Sequence, residues 1–338
     1  MIVDTYNNPY SKQVLALSLA IANMTFGFGI FFPYLPLFAE SLGASLGLQI
    51  GLLTTGFMAA RTITALPFGS VSDSIGRKNA IVVGLLLYGV ITLLFYFSQD
   101  WIHILILRSL QGITAGLIWP SSRAMIYDLV GPGARGRAIS VLNVSASLGM
   151  ALGPIFGMFL LFYFQSAFLL SDVDSFRIPF LFAGSFGLLS SIFAFFTLSS
   201  TSVSYPRIRF FKMIDNLDSQ YVSTFYSSLL MNFSHGFAFG MFRPVLVIYI
   251  YQVLGYSLIE TAAISAISFS LGAIFNSLSQ IVGGRLADSQ NRKFIIFFAV
   301  IFGQIATFSL IFVTDIIQLY IVVIFRFSMI GLFIPSLA

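Results

Sequence analysis

Cysteine is absent from the 338-residue chain, and charged residues, histidine and tryptophan are scarce. Without cysteine there is no disulfide framework, no thiolate nucleophile and no Cys-ligated metal site, and two histidines supply a metal centre poorly. Only 9% of the residues are charged and 58% are hydrophobic, whereas roughly a quarter of a soluble domain is charged. We therefore exclude a water-soluble globule and expect lipid to surround most of the chain.

Ten apolar runs are long enough to cross a bilayer as helices, which takes roughly 20 residues each. They lack the alternating pattern of barrel strands, so the sequence predicts an all-α polytopic membrane protein. Seven runs hold no charged residue: 13–39, 79–99, 138–171, 178–206, 219–242, 261–284 and 294–314. We assign three further spans, each with a buried arginine: 48–72 with Arg61, 102–125 with Arg108, and 317–338 with Arg326.

The basic residues between the runs predict the orientation of the chain. Connections after odd-numbered runs are acidic or neutral, with Arg177 as their one basic residue, whereas eleven basic residues lie before the first run or after even-numbered runs. Since basic loops stay inside, we predict a multi-pass protein of the cell membrane with both termini in the cytoplasm. The same distribution explains the net charge of +5 without a nucleic-acid partner.

An internal repeat relates the two parts of the chain. Gly69, Asp73, Arg77 and Lys78 recur 215 positions later, and Arg108 in the fourth run corresponds to Arg326 in the tenth. We predict two copies of one helical bundle, arranged as parallel repeats. The predicted division is a six-helix bundle at 1–198, a cytoplasmic linker at 199–220 and an incomplete four-helix bundle at 221–338.

Three motifs resemble those of the major facilitator superfamily. The stretch 69–78 is similar to its loop signature, with Ser74 in place of a basic residue, and 108–116 is similar to its R-x-x-Q-G motif. The stretch 149–157 is similar to a G-x-x-x-G-P-x-x-G motif of proton-driven exporters, although such glycine spacing also arises from close helix packing. The residues of this packing motif are Gly149, Gly153, Pro154 and Gly157.

The resemblance implies two helical bundles that rock around a central site, and a cytoplasmic latch after the second helix. In such a latch the aspartate contacts a helix N-terminus of the opposite half, and the arginine pairs with an acid at the cytoplasmic end of helix four. The simpler interpretation is that the basic residues only set the membrane orientation and that the glycine forms a tight turn. The residues placed for this role are Gly69, Asp73, Gly76, Arg77 and Asp128, with Gly284, Asp288 and Arg292 in the second copy. Family members usually have twelve helices, and the chain ends inside the tenth, which indicates a fragment or an eroded copy.

Four arginines lie within the apparent hydrocarbon: Arg61, Arg108, Arg243 and Arg326. Each costs about 2.5–3.5 kcal/mol at a helix centre. No acidic residue lies inside the ten runs, so one hypothesis is that the cavity binds an anionic solute, held by Arg108 with Arg243 or Arg326. The alternative is that Arg108 hydrogen-bonds backbone within its own half, that Arg243 and Arg326 snorkel outward, and that missing helices carried the counter-charges. His235 is a candidate proton carrier, or an ordinary interhelical hydrogen-bonding residue. The full set of candidate cavity residues is Asn23, Tyr34, Arg108, Gln111, Trp119, Asn232, His235, Phe239, Arg243 and Arg326.

The predicted function is secondary active transport of a small solute by alternating access, with proton-coupled export of drug-like or metabolite molecules as the first interpretation. An organic-anion permease is the second, and a truncated, non-transporting membrane remnant is an alternative of another class. No phosphate-binding loop and no nucleophile–base–acid set is evident, so we predict neither ATP-driven transport nor an enzyme. We expect no cofactor and no metal, a small-molecule substrate and protons as partners, the lipid bilayer as surroundings, and a monomer.

Overall fold

The computed structural model describes residue 8 and residues 10–45, 47–200, 219–289 and 292–336. Within these residues the chain forms ten long helices and no β-strand. We number them in chain order: α1 Lys12–Ser41, α2 Leu48–Ile75, α3 Arg77–Leu94, α4 Trp101–Leu129, α5 Arg135–Phe168, α6 Asp172–Thr197, α7 Ser219–Ile248, α8 Leu258–Ser289, α9 Arg292–Ser309 and α10 Ile316–Ser336. Helix α1 consists of two segments, Lys12–Phe31 and Leu35–Ser41, joined by a 3-10 turn at Phe32–Tyr34.

Eight of the described helices are long and apolar enough to span a membrane. The other two, α2 and α7, have 28 and 30 residues. These two helices contact each other between the two halves of the molecule, where polar side chains such as Arg61 and Arg243 need not face lipid. The predicted all-α polytopic membrane architecture is confirmed.

The helices extend beyond the charge-free runs, and the predicted span boundaries are wrong there. The sixth span was predicted at 178–206, whereas α6 begins at Asp172 and ends at Thr197. Ser171 caps this helix by accepting a hydrogen bond from the backbone N–H of Asp174. Acidic residues in a first turn are stabilised by the positive end of the helix dipole, so these charges belong to the helix and not to the preceding loop.

The two halves differ in how their helices pack. In the first half, α1 contacts α5 and α6, α2 packs on α4, and α3 contacts α4 and α6. In the second half, α10 packs against α8 and α9. The halves meet where α8 contacts α5 and the turn of α1. Of the predicted linker 199–220, residues 201–218 lie outside the described part of the chain.

The two ends of the bundle carry opposite charges. We call one the basic end, and its residues are Lys12, Arg77, Lys78, Arg135, Arg137 and Lys293; we call the other the acidic end, and its residues are Glu40, Asp100, Asp172, Asp174, Glu260 and Asp315. At the basic end, the amide nitrogen of Gln13 donates to the carbonyl oxygen of Thr197 at 3.1 Å and joins α1 to α6. At the acidic end, the hydroxyl of Tyr249 donates to the carbonyl oxygen of Val313 at 2.9 Å.

Two buried cores determine which end of the molecule is closed. The core at the acidic end contains residues of both halves, including Phe38, Phe180, Leu246 and Phe269. The core at the basic end contains residues of the first half alone among those described, such as Leu17 and Leu142. The halves are therefore held together at the acidic end, and the space between them lies towards the basic end.

Candidate functional site

A cavity of about 440 Å³ lies between the two halves, on the basic-end side of their joint core. Helices α1, α2, α4 and α5 supply one wall and α7, α8 and α10 supply the other. Its polar lining contains three arginines and no aspartate or glutamate among the described residues. The polar lining residues are Thr25, Arg61, Trp119, Arg123, Asn143, Ser147, Arg243, Asn276 and Gln280.

Three of these side chains form a cluster on the first half. The guanidinium carbon of Arg61 lies 5.9 Å from the ring centroid of Trp119, within cation–π range. Arg123 follows Trp119 by one helical turn and is exposed, and its charge repels that of Arg61. Neither guanidinium makes a hydrogen bond or ion pair with a residue that the structure describes, so this cluster carries uncompensated positive charge.

Arg243 is the cationic residue of the second half in the cavity wall. It lines both the 440 Å³ cavity and a small enclosed space that reaches Phe32 and Phe269 in the joint core. Its guanidinium carbon lies 4.7 Å from the ring centroid of Phe32, a residue of the first half. Arg243 therefore lies at the floor of the cavity, where the two halves meet.

Arg108 belongs to a buried network within the first half and is not a lining residue of the cavity. Its Nη1 donates to the Oε1 of Gln111 at 2.8 Å, and the Nε2 of Gln111 donates to the hydroxyl of Thr92 at 2.8 Å. The guanidinium also lies 4.4 Å from the ring centroid of Phe57. Arg108 thus bonds within its own half, as the alternative expected, but to a side chain and not to backbone, and its buried Nε has no hydrogen-bond partner among the described residues.

Arg326 is buried in the second half, so the expectation that it snorkels outward is wrong. Its Nε donates to the hydroxyl of Thr307 at 2.8 Å, and Thr307 lies 215 positions after Thr92. The position equivalent to Gln111 is Met329, so the second copy uses a direct bond where the first uses an amide bridge. Arg326 lines a separate apolar groove of about 680 Å³ between α7, α9 and α10.

We expect Thr307→Val to lower the stability of the second half. The change keeps the side-chain volume but removes the acceptor of the buried Arg326, and an unsatisfied charged donor costs about 1–3 kcal/mol. Thr197→Val is the matched control, because the Thr197 hydroxyl is exposed and bonds only its own helix. Thermal unfolding in detergent measures the difference; equal midpoints for the two variants would contradict the role of Thr307.

Two other candidate cavity residues are engaged in helix packing. The amide of Asn23 donates to the carbonyl oxygen of Phe186 at 3.1 Å, which joins α1 to α6. The hydroxyl of Tyr34 donates to the carbonyl oxygen of Pro154 at 2.9 Å, and its side chain is fully buried. Neither residue lines the cavity. The side chains of the remaining candidates, Asn232, His235 and Phe239 in α7, lie outside the described part of the structure.

The candidate latch of the first copy forms an ion-pair cluster at the basic end. Arg77 pairs with Asp73, its Nε lies 3.4 Å from the Oδ2 of Asp128, and its Nη1 donates to the hydroxyl of Ser72 at 3.2 Å. The hydrogen bonds and ion pairs of Asp73 that involve described residues stay within the first half. The predicted contact of Asp73 with a helix N-terminus of the other half is not among them.

Glycine has two different environments in this motif. Gly76 alone links α2 to α3 with φ of +90°, a conformation that residues with a Cβ rarely adopt. Gly69 lies inside α2, and a Cβ there would meet open space. The second-copy residues Gly284, Asp288 and Arg292 have side-chain environments outside the described part of the structure.

The packing motif brings α5 against the backbone of α1. A Cβ on Gly149, Gly153 or Gly157 would overlap the carbonyl oxygen of Ala22, Phe26 or Ile30, respectively. Pro154 contacts the same helix, since its Cδ lies 3.0 Å from where a Cβ on Gly29 would be. These residues therefore let two helices approach at backbone distance.

Sequence reasoning missed Arg123 and three amides in the cavity wall. Arg123 lies inside the run 102–125, which was counted with Arg108 alone; its spacing of four from Trp119 places both on one helical face. Asn276 and Gln280 have the same spacing on α8, and the Nε2 of Gln280 donates to the Oδ1 of Asn276 at 2.6 Å. Asn143 on α5 is the third missed amide. Polar residues at i and i+4 in an apolar run were the available signal.

Comparisons with known proteins identify the family. The model of the Major Facilitator Superfamily matches residues 17–338. An uncharacterized MFS-type transporter of Methanocaldococcus jannaschii is 29% identical over 301 residues, which are 87% of this chain and 73% of that protein. Multidrug resistance protein 1 of Bacillus subtilis is 26% identical over 316 residues, 93% of this chain and 76% of that protein.

A solved structure has the same fold. A bacterial homologue of the human lysosomal transporter Spinster, in an inward-facing and occupied conformation, superposes with a TM-score of 0.72 at 19% identity, over 95% of this chain and 73% of that one. The chain belongs to the major facilitator superfamily, as the motifs predicted. It is therefore a multi-pass secondary transporter of small molecules and not an enzyme.

Proposed function

We propose that the protein carries small organic anions through the cavity between its halves. The observation that supports this proposal is the cavity lining, which has three arginines and no carboxylate among the described residues. In a partly desolvated site, guanidinium groups attract carboxylate, sulfonate or phosphate groups and bind them with charge-assisted hydrogen bonds. A cationic substrate would meet repulsion at the same place.

Alternating access supplies the transport cycle in this proposal. The described core that joins the halves lies at the acidic end, and the cavity between the halves lies on the basic-end side of that core. This arrangement suits one of the two states that a rocking carrier must visit. With basic loops in the cytoplasm, this state is open to the cytoplasm. We accordingly place the protein in the cell membrane with both termini inside, as a monomer.

Export of drug-like molecules coupled to protons is the second candidate. It is favoured by the similarity to multidrug resistance protein 1 of Bacillus subtilis and by the packing motif of α5. His235 is the candidate proton carrier in this case, because its reference pKa is near neutrality. Transport that persists in His235→Gln with the same dependence on an imposed pH gradient would remove that role.

Flux into proteoliposomes tests the proposed function. The two probes are benzenesulfonate and phenyltrimethylammonium, which share a ring and carry permanent charges of opposite sign, so neither crosses lipid unaided. We expect counterflow of benzenesulfonate alone, reduced in Arg243→Gln and unchanged in Arg137→Gln, whose side chain is exposed at the basic end.

Two outcomes would overturn the proposal. Flux of phenyltrimethylammonium without flux of benzenesulfonate would favour the drug exporter. Flux of neither probe, in vesicles where the reconstituted protein is folded by its thermal transition, would favour the non-transporting alternative.

A further inference from the structure

The cluster of Arg61, Arg123 and Trp119 presents two cations and an indole to the cavity, and the indole also packs on the basic-end core of the first half. The guanidinium groups of the half-buried Arg61 and the exposed Arg123 make no hydrogen bond or ion pair with a described residue, whereas the buried Arg108 and Arg326 bond side chains of their own halves. Both groups lie in the cavity wall. Two cations on one wall, with no acid among the described lining residues, favour the entry of an anion.

The backbone keeps this cluster in a fixed geometry. Arg61 is on α2, and Trp119 and Arg123 are on α4, so their separation depends on how these two helices pack. A Cβ on Gly116 would lie 2.9 Å from the carbonyl oxygen of Arg61 and 3.2 Å from the backbone nitrogen of Ala65. The two backbones are therefore in close contact within one turn of Trp119, and the site is preorganised before a ligand arrives.

Trp119 adds a flat apolar surface beside the two charges. Its side chain is half-buried and lines the cavity, where Met150, Phe327 and Ile330 supply further apolar contacts. An aromatic ring on a ligand gains stacking energy on an indole in addition to the burial of its area. A ligand that has both an anionic group and a planar ring therefore uses the whole cluster.

The opposite wall differs in chemistry. Asn276 donates to the carbonyl oxygen of Phe327 at 3.1 Å and accepts from Gln280 at 2.6 Å, so α8 presents neutral amides and no charge among its described cavity residues. The far end of a ligand held at the cluster of the first half thus meets the neutral hydrogen-bonding groups of α8, with Arg243 at the floor of the cavity.

We propose that Arg61, Arg123 and Trp119 form the head-group site of the carrier, and that its substrates are aromatic organic anions. This inference rests on the proposed function and specifies where in the cavity the anionic group binds. Arg61 and Arg123 bind the negative group together, and Trp119 stacks on the attached ring. Arg243, at the floor of the cavity, is outside this head-group site.

Fluorescence of Trp119 provides a direct binding assay. The chain has two tryptophans, so Trp101→Phe leaves Trp119 as the single reporter. The probes are benzenesulfonate, cyclohexanesulfonate, which has the same charge without an aromatic ring, and phenyltrimethylammonium. We expect saturable quenching by benzenesulfonate, at least about tenfold weaker binding of cyclohexanesulfonate, and no saturable response to the cation.

Variants in the same background assign the charged groups. We expect Arg61→Gln and Arg123→Gln each to weaken benzenesulfonate binding by about tenfold or more, because each loses a charge-assisted hydrogen bond. Arg61→Lys should recover less than half of that loss in binding free energy, since an ammonium does not present the planar fork of a guanidinium. Arg137→Gln, at an exposed position, should bind as the parent does.

Failure of this inference is distinguishable from failure of the proposed function. If benzenesulfonate is transported but its affinity is unchanged in Arg61→Gln and Arg123→Gln, the head-group site lies elsewhere in the cavity and the inference is overturned. If both sulfonates bind equally, the aromatic selectivity is overturned. If no sulfonate binds or is transported, the proposed function itself fails.

Discussion

Replacing Gly153 by alanine should destabilise the first half by about 1–3 kcal/mol, and by leucine still more, because the added carbon meets a helix backbone and not a flexible side chain. The Cβ would overlap the carbonyl oxygen of Phe26, and the Cα and carbonyl carbon of Gly29 lie beside the same point. Helix α5 can admit the group only by moving away from α1. We expect a lower unfolding midpoint in detergent and a smaller monodisperse fraction.

Gly136→Ala is the matched control for this change. Gly136 lies in the same helix and a Cβ there meets nothing within 4 Å, so the substitution adds only helix propensity and should leave the midpoint unchanged or slightly raised. If Gly153→Ala behaves like Gly136→Ala, the two helices are not in backbone contact at that position.

Arg77→Gln should also have a large effect, because it removes a cation that faces the buried carboxylate of Asp128. The Asp128 side chain is 3% exposed and Arg77 11% exposed, and removing one member of a buried ion pair costs about 3–5 kcal/mol. The exposure of Arg77 and the remaining solvent access of Asp73 place the expected loss at the lower limit, about 3 kcal/mol. Thermal unfolding in detergent measures it.

A double variant separates the ion pair from other effects of the substitution. Arg77→Gln combined with Asp128→Asn removes both charges, so most of the lost stability should return. Arg137→Gln controls for loss of a cation at the basic end, where its side chain is exposed. A double variant no more stable than Arg77→Gln alone would mean that Asp128 is not the partner that matters.

The fold was predictable because the lipid bilayer that surrounds the chain restricts it to helices. Runs of apolar residues must form helices in lipid, and basic residues between them mark one end, so helix number and all-α architecture required no knowledge of contacts. The positions of the helix ends were harder to predict from the sequence. Capping residues such as Ser171 and acids such as Asp172 continue a helix past the last apolar residue, and a rule based on charge-free runs stops short of them.

The site was only partly predictable, for a reason specific to membrane helices. A span that is apolar on all sides has no amphipathic stripe to indicate which face turns inward. The sequence therefore offered Arg108, Arg243 and Arg326 as equivalent candidates, whereas the structure places only Arg243 in the cavity. Trp119 was predicted from its place in the fourth span, and Arg123 was missed, although one turn separates them.

The joint core at the acidic end has a consequence for the resting orientation of the carrier. Phe32 of the first half and Phe269 of the second pack edge to face, with ring centroids 5.6 Å apart, and neighbouring side chains of both halves are dry. Separating the two halves at this joint core would expose apolar surface on both halves to water, which is unfavourable. Without substrate, the carrier should consequently favour the conformation whose cavity faces the basic loops. Binding of a solute that neutralises the arginines must then supply the free energy for the change to the opposite conformation.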